Sequence, residues 1–136
     1  MTLKVHVVNA QYVAQIWPLV EKFIVAALEH TDDVTSEQVK VYLANGTWLL
    51  LAMVDEESKI HGAMTITFET SANYRSAIFT TIGGKGVVNK DVLEQVCGIV
   101  KSFGATRIQC LARDSAVRLY ERIGLCKKAT LMELKL

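Results

Sequence analysis

Proline is almost missing from this sequence: Pro18 is the only one in 136 residues. With only eight glycines beside it, little room is left for a flexible or Pro-rich linker. Long hydrophobic runs are also lacking. The clearest apolar stretch, Thr47–Val54, falls well short of the roughly 20 residues that cross a bilayer, so a membrane span is not expected. The first residues, Met1-Thr-Leu-Lys-Val-His-Val-Val, have no apolar core followed by a small-residue cleavage site; they suggest a strand rather than a leader and make a cytoplasmic protein the expectation. Cysteine is scarce, and Cys97, Cys110 and Cys126 form no Cys-x-x-Cys pair. Three widely spaced thiols point to buried side chains rather than a disulfide framework or a metal site. No His/Cys/Asp/Glu grouping has zinc spacing, so no metal is expected.

Charge of one sign is lacking overall, the formal net charge being +1, but it is unevenly spread. Between Glu29 and Glu69, eight acidic residues face only Lys40 and Lys59; between Lys101 and Leu136, eight basic residues face Asp114, Glu121 and Glu133. Such polarity suits an anionic ligand near the second half and a cationic one near the first, or an ordinary solvated surface. No basic run exceeds two residues and none alternates with aromatics, which argues against nucleic acid.

What is present is a compact-protein composition, 51% hydrophobic and 21% charged, over a length that suits one domain, 1–136. Leu3–Val7 alternates as a half-buried strand does. Val13, Ile16, Trp17, Val20, Phe23, Ile24, Ala27 and Leu28 then recur at helical spacing, with Pro18 expected to kink or divide that helix at the Ala14 carbonyl. Thr35-Ser-Glu-Gln38 has the capping-box pattern and opens a short helix to about Ala44. Thr47–Val54, the charged turn Asp55–Lys59, and Ile60–Phe68 form an expected hairpin. Tyr74–Ile82 is a further strand that runs into Gly83-Gly-Lys-Gly86. The stripe Val88, Val92, Leu93, Val96, Cys97, Val100, Phe103 predicts a helix ended by Gly104. Thr106–Ala112 is then a strand, Ser115–Ile123 a helix capped by Asp114 or Ser115 and stopped by Gly124, and Cys126–Leu136 a closing strand. The order is β-α-α-β-β-β-α-β-α-β, an α/β (α+β) mixed sheet flanked by helices.

The strand that passes through glycines into a helix is the first place to look for chemistry. Glycines let backbone N–H groups converge on an anion, and a helix start adds about half a positive charge. The turn is not a nucleotide-binding P-loop, because Gly86 follows Lys85 where a hydroxyl residue would hold magnesium, and its spacing is not that of a dinucleotide fingerprint.

Together with that turn and the element order, Ala112-Arg-Asp-Ser-Ala-Val-Arg-Leu-Tyr-Glu-Arg-Ile-Gly-Leu125 resembles the Gcn5-related N-acetyltransferase superfamily, in which a helix reading roughly Asn-x-x-Ala-x-x-Leu-Tyr-x-x-x-Gly-Phe precedes the closing strand. Ala116 or Val117, Leu119, Tyr120, Gly124 and Leu125 fill those places, with Asp114 where Asn is common. The resemblance implies an acetyl-CoA-dependent N-acetyltransferase acting on a primary amine by direct attack in a ternary complex. The acceptor would be a small molecule or a protein. The resemblance also leaves open a binding or structural module of the same fold that has lost acetyl-CoA turnover. Trp17, Trp48, Tyr42 and Tyr74 are open to core or interface roles, and since symmetric dimers are the commonest oligomers a homodimer is expected. By the same resemblance, Phe79, Thr80, Thr81 and Ile82 would pair with the pantetheine arm, and Gly83, Gly84, Lys85, Gly86, Val87 and Val88 would face the pyrophosphate. Asp114 and Arg118 would lie near the cofactor cleft, and Tyr120 would protonate the leaving thiolate. Two registers of the family's turn are open, and both lack its leading Arg or Gln. The candidate base is Glu69, expected just past a strand end and acting through water; His61 is expected at the far end of the sheet.

Overall fold

The computed structural model describes residues 1–136. Five strands form one sheet in the order of the chain: β1 (Lys4–Val8), β2 (Leu49–Val54), β3 (Ile60–Thr70), β4 (Arg75–Gly83) and β5 (Arg107–Cys110). The first four are antiparallel neighbours, and β5 joins β4 in parallel. The parallel pair needs a crossover, supplied by helix α3 (Lys90–Ser102).

Two helices cover one face. A 3-10 turn at Ala10–Tyr12 leads into α1 (Val13–Leu28), and α2 (Ser36–Ala44) follows. Val13, Trp17, Val20 and Ile24 of α1 are buried with Val39 and Leu43 of α2 against Leu50 and Ala63. The helical spacing seen in the sequence is thus the spacing of the buried stripe. Pro18 does not divide α1, which is continuous across it. The lost N–H costs one helical bond, while the neighbouring Trp17 and Val20 are anchored in the core. The capping box at Thr35 is formed: Gln38 N–H donates to Thr35 Oγ1 at 3.2 Å and Thr35 N–H donates to Gln38 Oε1 at 2.9 Å.

The opposite face carries α3, whose Val92, Val96 and Val100 pack on Leu51, Met53, Met64, Ile66, Ala77 and Phe79. Leu50 and Leu51, or Ala63 and Met64, go to opposite clusters because successive strand side chains alternate. Full burial of such side chains contributes roughly 1.5–3 kcal/mol each. Gln95 ties α3 to β1, accepting from Val5 N–H at 2.9 Å and donating to the Leu3 carbonyl at 2.8 Å.

The order expected from the sequence holds through α4 (Asp114–Arg122). Four details differ. Arg113 occupies the cap position of α4 and no side chain caps it, so Asp114 and Ser115 lie in its first turn. β3 runs on to Thr70, because Glu69 and Thr70 pair with Ser76 and Arg75, which puts Glu69 inside the strand. Cys126 is exposed, whereas Cys97 and Cys110 are half-buried. Finally, Cys126–Leu136 forms no strand, and its Leu131, Met132 and Leu134 are exposed. Ala105 is the last buried residue of the chain, and the outer edge of β5, although unpaired, is only 4 residues long, a short template for a closing strand. The segment's one ion pair is an exposed one, Lys135 Nζ 2.6 Å from Asp32 Oδ2 in the α1–α2 loop.

Candidate functional site

The β4–β5 ladder extends only from Ser76↔Arg107 to Phe79↔Cys110. Beyond it the chain leaves β5 for α4, and Thr80–Gly83 of β4 have no partner on that side. A bulge at the same level displaces Thr80, since Thr65 faces Thr81 while Ile66 faces Phe79. Bulges of this kind bend a strand and re-aim its groups. Thr65 locks it: its buried Oγ1 lies 2.6 Å from Thr80 Oγ1 and 2.8 Å from Thr81 Oγ1. Phe79, Thr80, Thr81 and Ile82 therefore stand where β4 loses its β5 partner, with Thr80 and Ile82 partly exposed and Phe79 and Thr81 buried.

That stretch of β4 leads into the glycine turn. The N–H groups of Gly84, Lys85, Gly86, Val87 and Val88 donate no hydrogen bond within the chain, and they precede the N-terminus of α3. Asn89 closes the turn, with Nδ2 donating to the Gly86 carbonyl at 3.0 Å and Oδ1 accepting from Val92 N–H at 2.9 Å. Val88 lies in the turn rather than in the helix. Val87 is buried against Gly62 and Val88 packs on the α3 core cluster, so the branched side chains turn inward and the exposed part of the turn is Gly84, Lys85 and Gly86.

Two glycines of the turn have a further reason to be glycine. A Cβ on Gly83 would stand 2.0 Å from the Phe23 carbonyl oxygen, and one on Gly84 would stand 2.3 Å from that of His61. α1 and the start of β3 thus pack directly on this backbone. Gly84 and Gly86 also have positive φ, +122° and +71°, and nothing crowds Gly86; there the requirement is conformational alone.

Tyr120 reaches the same region from α4. With Phe79, Ile82, Val88, Asn89 and Leu125 it lines an apolar pocket of about 30 Å³. Burial, then the nearby Cys110, push the Tyr120 phenol above its ordinary pKa, with Arg113 opposing. Burial likewise raises the Cys110 thiol. Asp114 and Arg118 lie on the exposed side of α4, with no ion pair to either.

Glu69 is not brought together with Tyr120. Phe68 packs on the α3 side, so strand alternation turns Glu69 to the other face, exposed and level with Ser76. His61 stands at the opposite end of β3, and its Nε2 lies 2.7 Å from Asp55 Oδ2. It serves the β2–β3 turn. Sequence reasoning missed Thr65, because nothing about a threonine in a strand announces a buried hydroxyl that braces a bulge. Asn89 had a legible signal as the cap before Lys90-Asp91-Val92.

An acetyl-CoA-type ligand fits these residues. An extended arm needs a free strand edge, which Thr80–Gly83 offers, and a pyrophosphate needs unpaired N–H groups before a helix start, which the exposed Gly84, Lys85 and Gly86 offer. The apolar pocket, with room for a couple of waters at most, is too small for the arm. The open edge is where such an arm would lie.

Parted parallel strands, a bulge at the parting and a glycine turn opening the next helix give the chain the fold of the Gcn5-related N-acetyltransferases. Solved structures agree. The chain superimposes on an acetyltransferase from Trypanosoma brucei with a TM-score of 0.64 at 12% identity, covering 99% of this chain and 100% of that one. Glucosamine-6-phosphate N-acetyltransferase from Arabidopsis thaliana gives 0.66 at 17%, covering 99% of each. An aminoglycoside acetyltransferase from an uncultured soil metagenomic sample, solved with sisomicin, gives 0.72 at 12%, covering 98% and 95%. No protein-family model and no curated protein sequence matches the chain.

Proposed function

We propose that this chain is an acyltransferase that moves an acetyl group from acetyl-CoA to a primary amine by direct attack in a ternary complex. The observation that carries this reading is continuity: the free edge of β4 runs straight into the unbonded N–H groups of Gly84–Val88 at the α3 N-terminus. Acetyl-CoA, when bound, supplies an acyl group activated as a thioester. Thr80–Gly83 orient the extended arm by backbone hydrogen bonds, and the N–H groups of Gly84–Val88 hold the pyrophosphate. Asp114 and Arg118 flank the cleft.

Transfer forms an N–C bond and breaks a C–S bond, so the amine must lose a proton and the leaving sulfur must gain one. Tyr120 is suited to the second task, because a phenol, with an ordinary pKa of about 10 that burial here raises, carries its proton at neutral pH. Glu69 is suited to the first. It lies on the other face, three ladder positions from Ile66↔Phe79, a separation of roughly 10 Å along the strand, so its part as base needs a chain of waters rather than direct contact. The test is thiol release from acetyl-CoA in the presence of a panel of primary amines. Amine-dependent release supports the reading, and its absence across the panel counts against it.

The burial of Val87 within the turn favours a second reading, a binding or structural module of the same fold that has lost acetyl-CoA turnover. Absence of amine-dependent thiol release, whether or not acetyl-CoA binds, is its signature.

We also place the chain in the cytoplasm as one domain, 1–136, acting as a homodimer on a small-molecule or protein amine. No helix is long and apolar enough to cross a membrane. The exposed Leu131, Met132 and Leu134 and, separately, the unpaired outer edge of β5 support a second copy as the partner.

A further inference from the structure

The face of the sheet that carries Glu69 is not fully covered by α1 and α2. The residues of β3 that pack against those helices are Ala63 and Ile60; towards the Thr70 end of the same face Glu69 is exposed, Arg107 is half-buried and Ser76 between them is buried. Three strands contribute to it in register. Glu69 stands opposite Ser76, which stands opposite Arg107; Thr67 stands opposite Ile78, which stands opposite Gln109.

Arg107 is the unusual member of this surface. It is half-buried, and its Nε donates to Ser76 Oγ at 2.7 Å. Its guanidinium lies 4.0 Å from the centre of the Tyr74 ring. These contacts fix its plane, yet its terminal nitrogens make no hydrogen bond, and the two ion pairs of the molecule lie elsewhere. Lys128 also converges on Tyr74, with Nζ 5.9 Å from the ring. Two cations on one aromatic ring with no carboxylate between them repel each other, and the guanidinium nitrogens, held in a fixed plane and facing solvent, are placed to donate to an anion that would relieve the repulsion.

We infer that Arg107, braced by Ser76 and Tyr74 and joined by Lys128, binds an anionic group, a carboxylate or a phosphate, carried by the acceptor amine. The anion site stands on the arginine's geometry alone; assigning it to the acceptor rests on the acetyltransfer reading above. The ladder position of Arg107 is three residues from Phe79↔Cys110, where the strands part, so anion and amine are separated by roughly 10 Å. Glu69, in the same cross-strand row, is left on the opposite side of Ser76, where it does not neutralise the arginine.

The test compares 8-aminooctanoate, 6-aminohexyl phosphate and the uncharged-tail analogue 8-aminooctanamide as acceptors, with the wild type, Arg107→Gln and Arg107→Lys. The expected result is a kcat/KM about ten-fold or more higher for at least one anionic amine than for the amide, a preference that Arg107→Gln removes and Arg107→Lys partly keeps. The amide rate should be unchanged by either variant. The better of the two anionic amines distinguishes carboxylate from phosphate. Equal rates for all three amines in the wild type, or an equal loss on all three in Arg107→Gln, overturn the inference. If no amine is turned over, titration with inorganic phosphate and with octanoate separates the two claims. Binding that Arg107→Gln abolishes while Arg107→Lys retains it keeps the anion site and removes the transferase reading; no binding to the wild type removes the anion site. Melting curves of both variants verify that they are folded.

Discussion

Gly83 tests at one position how closely α1 is pressed onto the end of β4. Alanine there would put its Cβ 2.0 Å from the Phe23 carbonyl oxygen, a backbone atom that moves only with the helix. Gly83→Ala is expected to lower stability by about 1–3 kcal/mol, the range for overpacking, measured by urea unfolding. Gly86→Ala meets nothing within 4 Å and has only its φ of +71° against it, so it should cost about 1 kcal/mol. The two substitutions separate a packing glycine from a conformational one. Tyr120 makes a prediction in the alkaline range. Its pKa is raised in the folded state, chiefly by burial, so the fold favours the neutral phenol. That preference is fully present below the unfolded value of about 10 and is lost as pH rises through the folded value. Unfolding midpoints measured from pH 8 upward should therefore fall above about pH 10, less steeply in Tyr120→Phe. In activity, removal of a general acid should lower kcat by about 10²-fold or more with KM little changed.

Among the elements, the β2–β3 hairpin turn and the two capped helices are the most directly testable. Asp55 accepts from Glu57 N–H, Lys59 N–H and the His61 ring at 2.8, 3.0 and 2.7 Å, and the His61 hydrogen bond is the leading cause of its lowered pKa. The stabilisation is present above the unfolded carboxyl value of about 4 and is lost as pH falls through the folded value. Asp55→Asn should therefore lower the melting temperature at pH 7 and flatten its decline in acid. Thr35→Ala and Asn89→Ala each remove a cap at about 1 kcal/mol, but only Asn89→Ala also frees the Gly86 carbonyl and should weaken cofactor binding. These elements show what was legible beforehand. Periodicity found every helix and strand through α4, because the apolar spacing of Val13–Leu28 and Val88–Phe103 is set by burial, and burial is what the fold keeps. The capping box at Thr35 was equally plain, being a local pattern. Strand ends were not legible. Glu69 belongs to β3 through its pairing with β4, and a polar residue on an open face gives no sign of its partner. The bulge at Thr80 depends on two strands at once. Cys126–Leu136 alternates as a strand does, yet pairing needs an edge in reach, which composition alone does not provide.

At the scale of the whole molecule, the chain has a well-buried body and a lightly held C-terminal portion. The buried residues all lie between Leu3 and Ala105, and α4 carries none. The proposed homodimer gives that last portion something to pack on. Light scattering should return twice the chain mass, and Leu131→Glu with Leu134→Glu should return the monomer; a wild-type monomer at tens of micromolar would remove that proposal. The central claim is different: the parted β4 edge and the turn after it hold an acyl-CoA. Its most direct test is calorimetric titration of the purified chain with acetyl-CoA. Saturable binding in the micromolar range, about −8 kcal/mol, weakened in Asn89→Ala, is the result expected. No heat up to millimolar acetyl-CoA at two temperatures would contradict it, leaving the fold without the ligand that its open strand edge and free N–H groups are taken to serve.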